Sequence, residues 1–198
     1  MNNSPIKSGF KQHLESLNFL SESKIKFIVN QIMNVPKSFL DEEKEWWNYY
    51  SINNSFEITS KDGWVFPSRI FIPKTQKYLK SNKRTIKVLP LELFTSQYDE
   101  KHTIESHIIY TSSNEKSKSI EEPIIILKEF HGGLRVIDGN HRISNAILSH
   151  KTSISAQIIN EEELFSSDLF SSHYNKMTRK AFQIFVNELD KSSDNRLI

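Results

Sequence analysis

Two short runs decide the fold: Pro123-Ile124-Ile125-Ile126-Leu127, and Leu134-Arg135-Val136-Ile137-Asp138-Gly139-Asn140-His141-Arg142. The first is a continuous apolar run of strand length opened by a proline, the pattern of a buried strand. Between the two, His131-Gly132-Gly133 is a hairpin-type turn, so Leu134 to Asp138 reads as the return strand. Gly139 follows at once. Asn140 to His150 then has helical spacing, with Ile143, Ala146 and Ile147 on its inner face. Lys151 to Ser153 turn the chain, and Ile154 to Ile159 read as a closing strand. Upstream, Thr85 to Leu89 reads as an opening strand, followed by Pro90 and a short helical segment.

The chemistry concentrates where the return strand meets the helix. Free N–H groups at a helix start point outward and carry partial positive charge, so this corner favours an anion, above all a phosphate. Gly139 allows close approach to the backbone. Arg142 falls in the first helical turn, where a guanidinium can grip phosphate oxygens with two hydrogen bonds. His141 can donate to a phosphate or move a proton near neutral pH. Asp138 can orient Arg142 or His141, or hold a divalent cation. Each residue also has a plain structural reading. Asp-Gly is a common turn, Asn140 can cap the helix, and an Asp–Arg pair can be a clamp. The combination of acid, glycine, amide, imidazole and guanidinium in one corner is what points to a site.

Outward from this core, residues 1–59 read as a helical extension, residues 60–160 as the α/β core and residues 161–198 as further helices, together one compact domain. In the first part, Ser4 or Ser8 can cap a helix running to about Leu17. Ser21 and Ser23 can cap another from Lys24 to Met33, which Pro36 ends. A third runs from Lys37 to about Tyr50, its Trp46–Trp47 and Tyr49–Tyr50 pairs reading as core anchors. Asp62-Gly63 is a turn. Trp64 to Phe66 and Arg69 to Ile72 are short strand candidates cut by Pro67 and Pro73. At the far end, helices are expected over Glu161 to Phe170 and Asn175 to Leu189.

The stretch Lys74 to Lys87 places six positive charges in fourteen residues, and no acidic residue occurs from Pro73 to Leu91. Such a run can face the phosphates of DNA, but lysines at i, i+3, i+6 and i+9 also describe an ordinary solvated helix face. Over all 198 residues the net charge is only +2, so the chain is not globally polybasic. It has no cysteine, which removes disulfides, thiolate metal sites and a cysteine nucleophile. His102 and His107, at i and i+5, are a poor helical ligand pair, so zinc is not expected. His131 reads as an exposed turn residue. No run of about 18 apolar residues exists and the first residues lack a secretory pattern, so no membrane contact and a cytoplasmic location are expected.

The run Pro-Ile-Ile-Ile, a short hairpin, then Val-Ile-Asp-Gly-Asn-His-Arg-Ile with Ala146 after it and a small closing strand, resembles the ParB/sulfiredoxin-like superfamily. The resemblance covers about residues 85–160, with Val88 to Phe94 similar to the family's opening segment. It implies an α/β (α+β) fold with a small mixed sheet, here with added N- and C-terminal helices, and a nucleotide phosphate site in which Gly139, Asn140, His141 and Arg142 hold phosphates. Members include CTP-binding chromosome-partitioning proteins, sulfiredoxin, free-serine kinases and restriction-associated NTPase domains. Asn140 stands where sulfiredoxin has its cysteine, which excludes that chemistry. In the kinases an acidic residue after the opening segment acts as base or metal ligand. Asp99 and Glu100 are nearest here, Asp99 beside Asp138 as a metal ligand and Glu100 as the base. The segment after position 159 reads as too short and insufficiently basic for the DNA-reading helices of partitioning proteins, so a classical partitioning function is not expected.

The expected function is therefore Mg²⁺-dependent hydrolysis of a nucleoside triphosphate (ATP or CTP) or phosphoryl transfer from it, by positioning and charge neutralisation. Asp138, His141, Arg142 and Glu100 would be its catalytic residues. Three alternatives stand beside it. One is a nuclease or DNA-binding protein using Lys74 to Lys87. Another is a non-catalytic module that binds a protein partner, such as an antitoxin, immunity or phage-defence component. The last is a transferase using NAD.

Overall fold

The computed structural model describes residues 12, 14–17, 20–42, 55–57, 68–95, 122–130 and 132–194. In chain order they form helix α1 (Glu22–Met33), strands β1 (Ser55–Glu57) and β2 (Arg69–Phe71), helix α2 (Ile72–Ser81), strand β3 (Lys87–Pro90) and the short helix α3 (Glu92–Thr95). Strands β4 (Ile124–Lys128) and β5 (Leu134–Asp138), helix α4 (Asn140–Leu148), strand β6 (Ser153–Asn160) and helices α5 (Glu161–Ser166) and α6 (His173–Asp194) follow. Residues 14–16 and 37–42 are also helical. The chain divides into two compact units, one of Met1–Phe71 with Phe170–Ile198 and one of Ile72–Leu169.

The second unit holds a four-stranded mixed sheet in the order β3-β6-β4-β5, which bears out the α/β class. β4 runs antiparallel to β5 and parallel to β6, and β3 is antiparallel to β6. The Ile124-to-Leu127 run fills the sheet's interior because every one of its side chains is buried, at 2% exposure or less. Such a strand needs cover on both faces and has no use for alternating polar residues. On one face Ile124, Ile126, Val136, Ile154 and Ala156 pack with Ile143 and Ala146 of α4 and with Leu91 and Phe94. The helical spacing of Ile143 and Ala146 is what turns α4 inward. Each isoleucine, leucine, valine or phenylalanine among them contributes about 1.5–3 kcal/mol when fully buried.

Two local devices set the geometry around the sheet. The β4–β5 register slips by one between Ile125 and Ile126, which leaves Ile137 as an extra residue immediately before Asp138. A bulge of this kind bends the strand and re-aims the side chain that follows. After β6, Asn160 and Glu163 form a reciprocal capping box, with Asn160 Oδ1 accepting from Glu163 N–H at 2.8 Å and Glu163 Oε2 from Asn160 N–H at 3.0 Å. Glu163 also pairs with Arg84 and accepts from the Tyr78 hydroxyl at 3.3 Å, tying the α2–β3 connection to α5.

Several expectations are refined. Pro73 does not end a strand; it lies in the first turn of α2, where a missing N–H costs nothing. The lysines that follow lie on α2, with Lys74, Lys77 and Lys80 exposed and Ile72, Thr75 and Leu79 buried. Ser21 stands at the cap position of α1, but its hydroxyl bonds Ser23 at 3.1 Å instead of a helix N–H. Trp46, Trp47, Tyr49, Tyr50 and the strand candidate Trp64 to Phe66 lie outside the described residues, as do Ser4 and Ser8.

In the first unit, α1 packs along α6, with Ile25, Ile28, Ala181 and Phe182 buried. β1 and β2 form a two-stranded antiparallel pair, and Ile70 of β2 bridges Phe170. Asn175 fastens this region from within, its side chain accepting from Arg69 N–H at 2.8 Å and donating to Ser172 Oγ at 2.8 Å. The fully buried Arg179 lies 5.0 Å from the centre of the Phe182 ring, a cation–π distance.

Candidate functional site

The corner between β5 and α4 is built around Gly139. Its backbone takes φ +110° and ψ 15°, a left-handed conformation that only glycine adopts cheaply. A Cβ there would stand 2.5 Å from Ile124 Cγ2, 2.8 Å from Ile124 Cβ and 3.0 Å from Arg142 Nη2. The glycine therefore lets the chain turn and lets Arg142 fold back against β4. Gly139 itself occupies the cap position, so Asn140 is the first residue of the helix and not its cap. No side chain caps the helix start.

Arg142 is the centre of the corner. It is only 3% exposed. Its Nη2 donates to Asp138 Oδ2 at 2.9 Å, and the same oxygen accepts from Gln76 Nε2 of α2 at 2.9 Å. Its Nη1 reaches Glu122 Oε2 at 3.4 Å, and its Nε is buried with no hydrogen-bond partner. The guanidinium is thus pinned firmly on one edge and loosely on the other. The loose partner, Glu122, is 61% exposed, whereas the Asp138 side chain is 18% exposed. A buried cation needs compensation, and here a carboxylate that solvent can reach supplies part of it.

The sequence candidates divide accordingly. Asp138, Gly139 and Arg142 come together at the corner. Asn140 is half-buried, and its carbonyl accepts from Ser144 Oγ at 3.0 Å. His141 is exposed in the first turn. Asp99 and Glu100 lie outside the described residues, as do His102, His107 and His131. Among the described residues, no group of three or more His, Cys, Asp or Glu stands close enough to hold a metal ion. Two residues join the corner that the motif did not point to. Gln76 lies 62 positions before Asp138 and has no local signal. Glu122 directly precedes the proline that opens β4, and an acid so close to a buried arginine's strand was the available clue.

Lys77, Lys80, Lys83 and Lys87 are exposed, while Lys74 is paired with Asp168 and Arg84 with Glu163. No helix among the described residues is long and apolar enough to cross a membrane. In comparisons with protein-family models, with curated proteins and with solved structures, nothing matches the chain.

Proposed function

We propose that the chain binds a nucleoside triphosphate, ATP or CTP, with its phosphates seated at the β5–α4 corner and Mg²⁺ brought as the nucleotide's counter-ion. The observation that carries this reading is the divided state of Arg142: one edge held by Asp138, the other meeting only the exposed Glu122 carboxylate at 3.4 Å. A phosphate oxygen matches that carboxylate in charge and geometry, and it would displace it from a guanidinium already aimed and largely desolvated. The uncapped start of α4 adds partial positive charge at the same place. The resemblance of the Asp138-to-Arg142 segment to the ParB/sulfiredoxin-like superfamily supports the same ligand. In this reading Asp138 and Gln76 orient Arg142. His141 stands in the exposed first turn, where it can pass a proton to a bound phosphate in hydrolysis or phosphoryl transfer.

Thermal unfolding against ATP, CTP, GTP, ADP and NAD, with and without Mg²⁺, tests it, because a ligand that binds only the folded state raises the melting temperature. At least one triphosphate is expected to do so in the wild type. Glu122→Gln, which removes the internal competitor from a surface position, is expected to tighten binding about fivefold, the equivalent of about 1 kcal/mol. Arg142→Lys keeps the charge but loses the fork, and is expected to abolish the shift. No shift with any nucleotide would overturn the reading. A shift that Arg142→Lys leaves unchanged would move the ligand elsewhere.

A further inference from the structure

We propose that β3 is a docking edge for an extended acidic segment of a partner protein, which adds to the sheet as a fifth strand. Among the described residues, β3 stands at one end of the sheet and pairs only with β6. Leu91 N–H donates to Thr152 O at 3.0 Å, which fixes the phase of the ladder. Counting back along the register, Leu89 and Lys87 turn their backbone groups toward β6, and Val88 between them turns its N–H and C=O to the open side. Pro90 presents only a carbonyl there. Val88 is 69% exposed and Ile86, two residues before it, is 53% exposed. Apolar side chains of this size are seldom left so bare on an edge strand, which native sheets usually blunt.

Charge selects the occupant. Lys87 lies between the two apolar residues and Lys83 precedes them, Lys77 and Lys80 lie on the preceding helix, and all four are exposed. No acidic residue occurs from Pro73 to Leu91. A second copy of this chain pairing edge to edge would set lysines against lysines. The alternation of the strand then prescribes the ligand. Val88 and Ile86 share one face and Lys87 lies on the other, so an added strand would carry apolar residues on the first face and acids on the second. Strand addition of this kind takes affinity from main-chain bonds and selectivity from alternate side chains.

The test uses the full-length protein and a labelled, acetylated peptide alternating valine with glutamate, followed by fluorescence anisotropy. Its controls are the same peptide with lysine in place of glutamate, a version with proline at its centre, and a DNA duplex. Val88→Pro removes the outward N–H and leaves the bonds to β6 in place, so the melting temperature should barely move. The acidic peptide is expected to bind, the lysine and proline peptides to bind at least about tenfold more weakly, and Val88→Pro and Lys87→Glu each to weaken the acidic peptide about tenfold. Binding that survives Val88→Pro, or no binding of the acidic peptide, overturns the proposal. So does duplex binding that survives Val88→Pro but is lost on Lys77→Glu and Lys80→Glu, which would make this a nucleic-acid face. A dimer of the free protein in sedimentation that Val88→Pro abolishes would assign the edge to a second copy, and overturns it equally.

Discussion

Gly139 answers two constraints at once, a left-handed backbone and the absence of room for a Cβ between Ile124 and Arg142. Gly139→Ala therefore adds backbone strain of about 1–2 kcal/mol and overpacking of about 1–3 kcal/mol. A denaturant midpoint should report a loss of about 2–4 kcal/mol; a loss below about 0.5 kcal/mol would mean that the corner rearranges freely. The two acids around Arg142 should separate just as clearly. Asp138→Ala leaves a guanidinium 3% exposed without its firm partner and should cost about 3 kcal/mol or more. Glu122→Gln touches the same guanidinium through an exposed side chain and should cost less than about 1 kcal/mol. Equal costs in the two variants would show that Arg142 is not held asymmetrically. That asymmetry is what the nucleotide reading needs.

At the scale of elements, ends and edges carry the specificity. The Asn160–Glu163 box joins β6 to α5 without a loop, so Asn160→Ala should cost about 1 kcal/mol, checked by thermal melting. Helix α6 is tied to α1 through Glu188, which pairs with Lys24 and, at 3.0 Å, with Lys191. The Lys24 ammonium, with Lys191 beside it, holds the Glu188 carboxyl below its ordinary value. A carboxyl whose folded-state pKa is depressed adds stability above the carboxylate range, about pH 4, and loses it as the pH falls through the folded value. The difference in melting temperature between wild type and Glu188→Gln should therefore be largest near neutral pH and shrink as the pH is lowered toward 3. A difference independent of pH would mean that the pair contributes nothing through charge. The elements around the corner were legible in the sequence because each had a local signature. Ile124 to Leu127 was unbroken and apolar, Gly132-Gly133 marked the turn, and Ile143, Ala146 and Ile147 had helical spacing. The start of α2 was less so, because Pro73 serves a strand's end and a helix's first turn equally well. The Gln76–Asp138 bond had no signature at all, since it depends on how two elements pack and not on either sequence.

At the scale of the molecule, the chain's division is discontinuous. The first unit takes both ends of the sequence, and the second is the single stretch Ile72–Leu169. Composition could not reveal this, because helical character at residues 1–59 and again after 160 says nothing of whether the two regions share a core. The register does. Ile70 bridges Phe170, and Ser171 N–H donates to Arg69 O at 2.9 Å, so the chain leaves the first unit and returns to it at neighbouring points. An insertion with adjacent ends is the arrangement that tolerates excision. Gln76, Glu122, Asp138, Gly139 and Arg142 all lie inside the inserted stretch, with the sheet and its core. A fragment spanning Ile72–Leu169 should therefore fold by itself, unfold cooperatively in circular dichroism and show the same nucleotide-induced rise in melting temperature as the whole chain. The complementary protein, with Phe71 joined to Phe170 by a short glycine-serine linker, should retain helical signal and show no such rise. A folded fragment that has lost the nucleotide effect would place essential ligand contacts outside the insertion. An unfolded fragment would make the two units one cooperative structure, and would show that the sheet's core, dense as it is around Ile124 and Ile126, does not suffice to hold the corner.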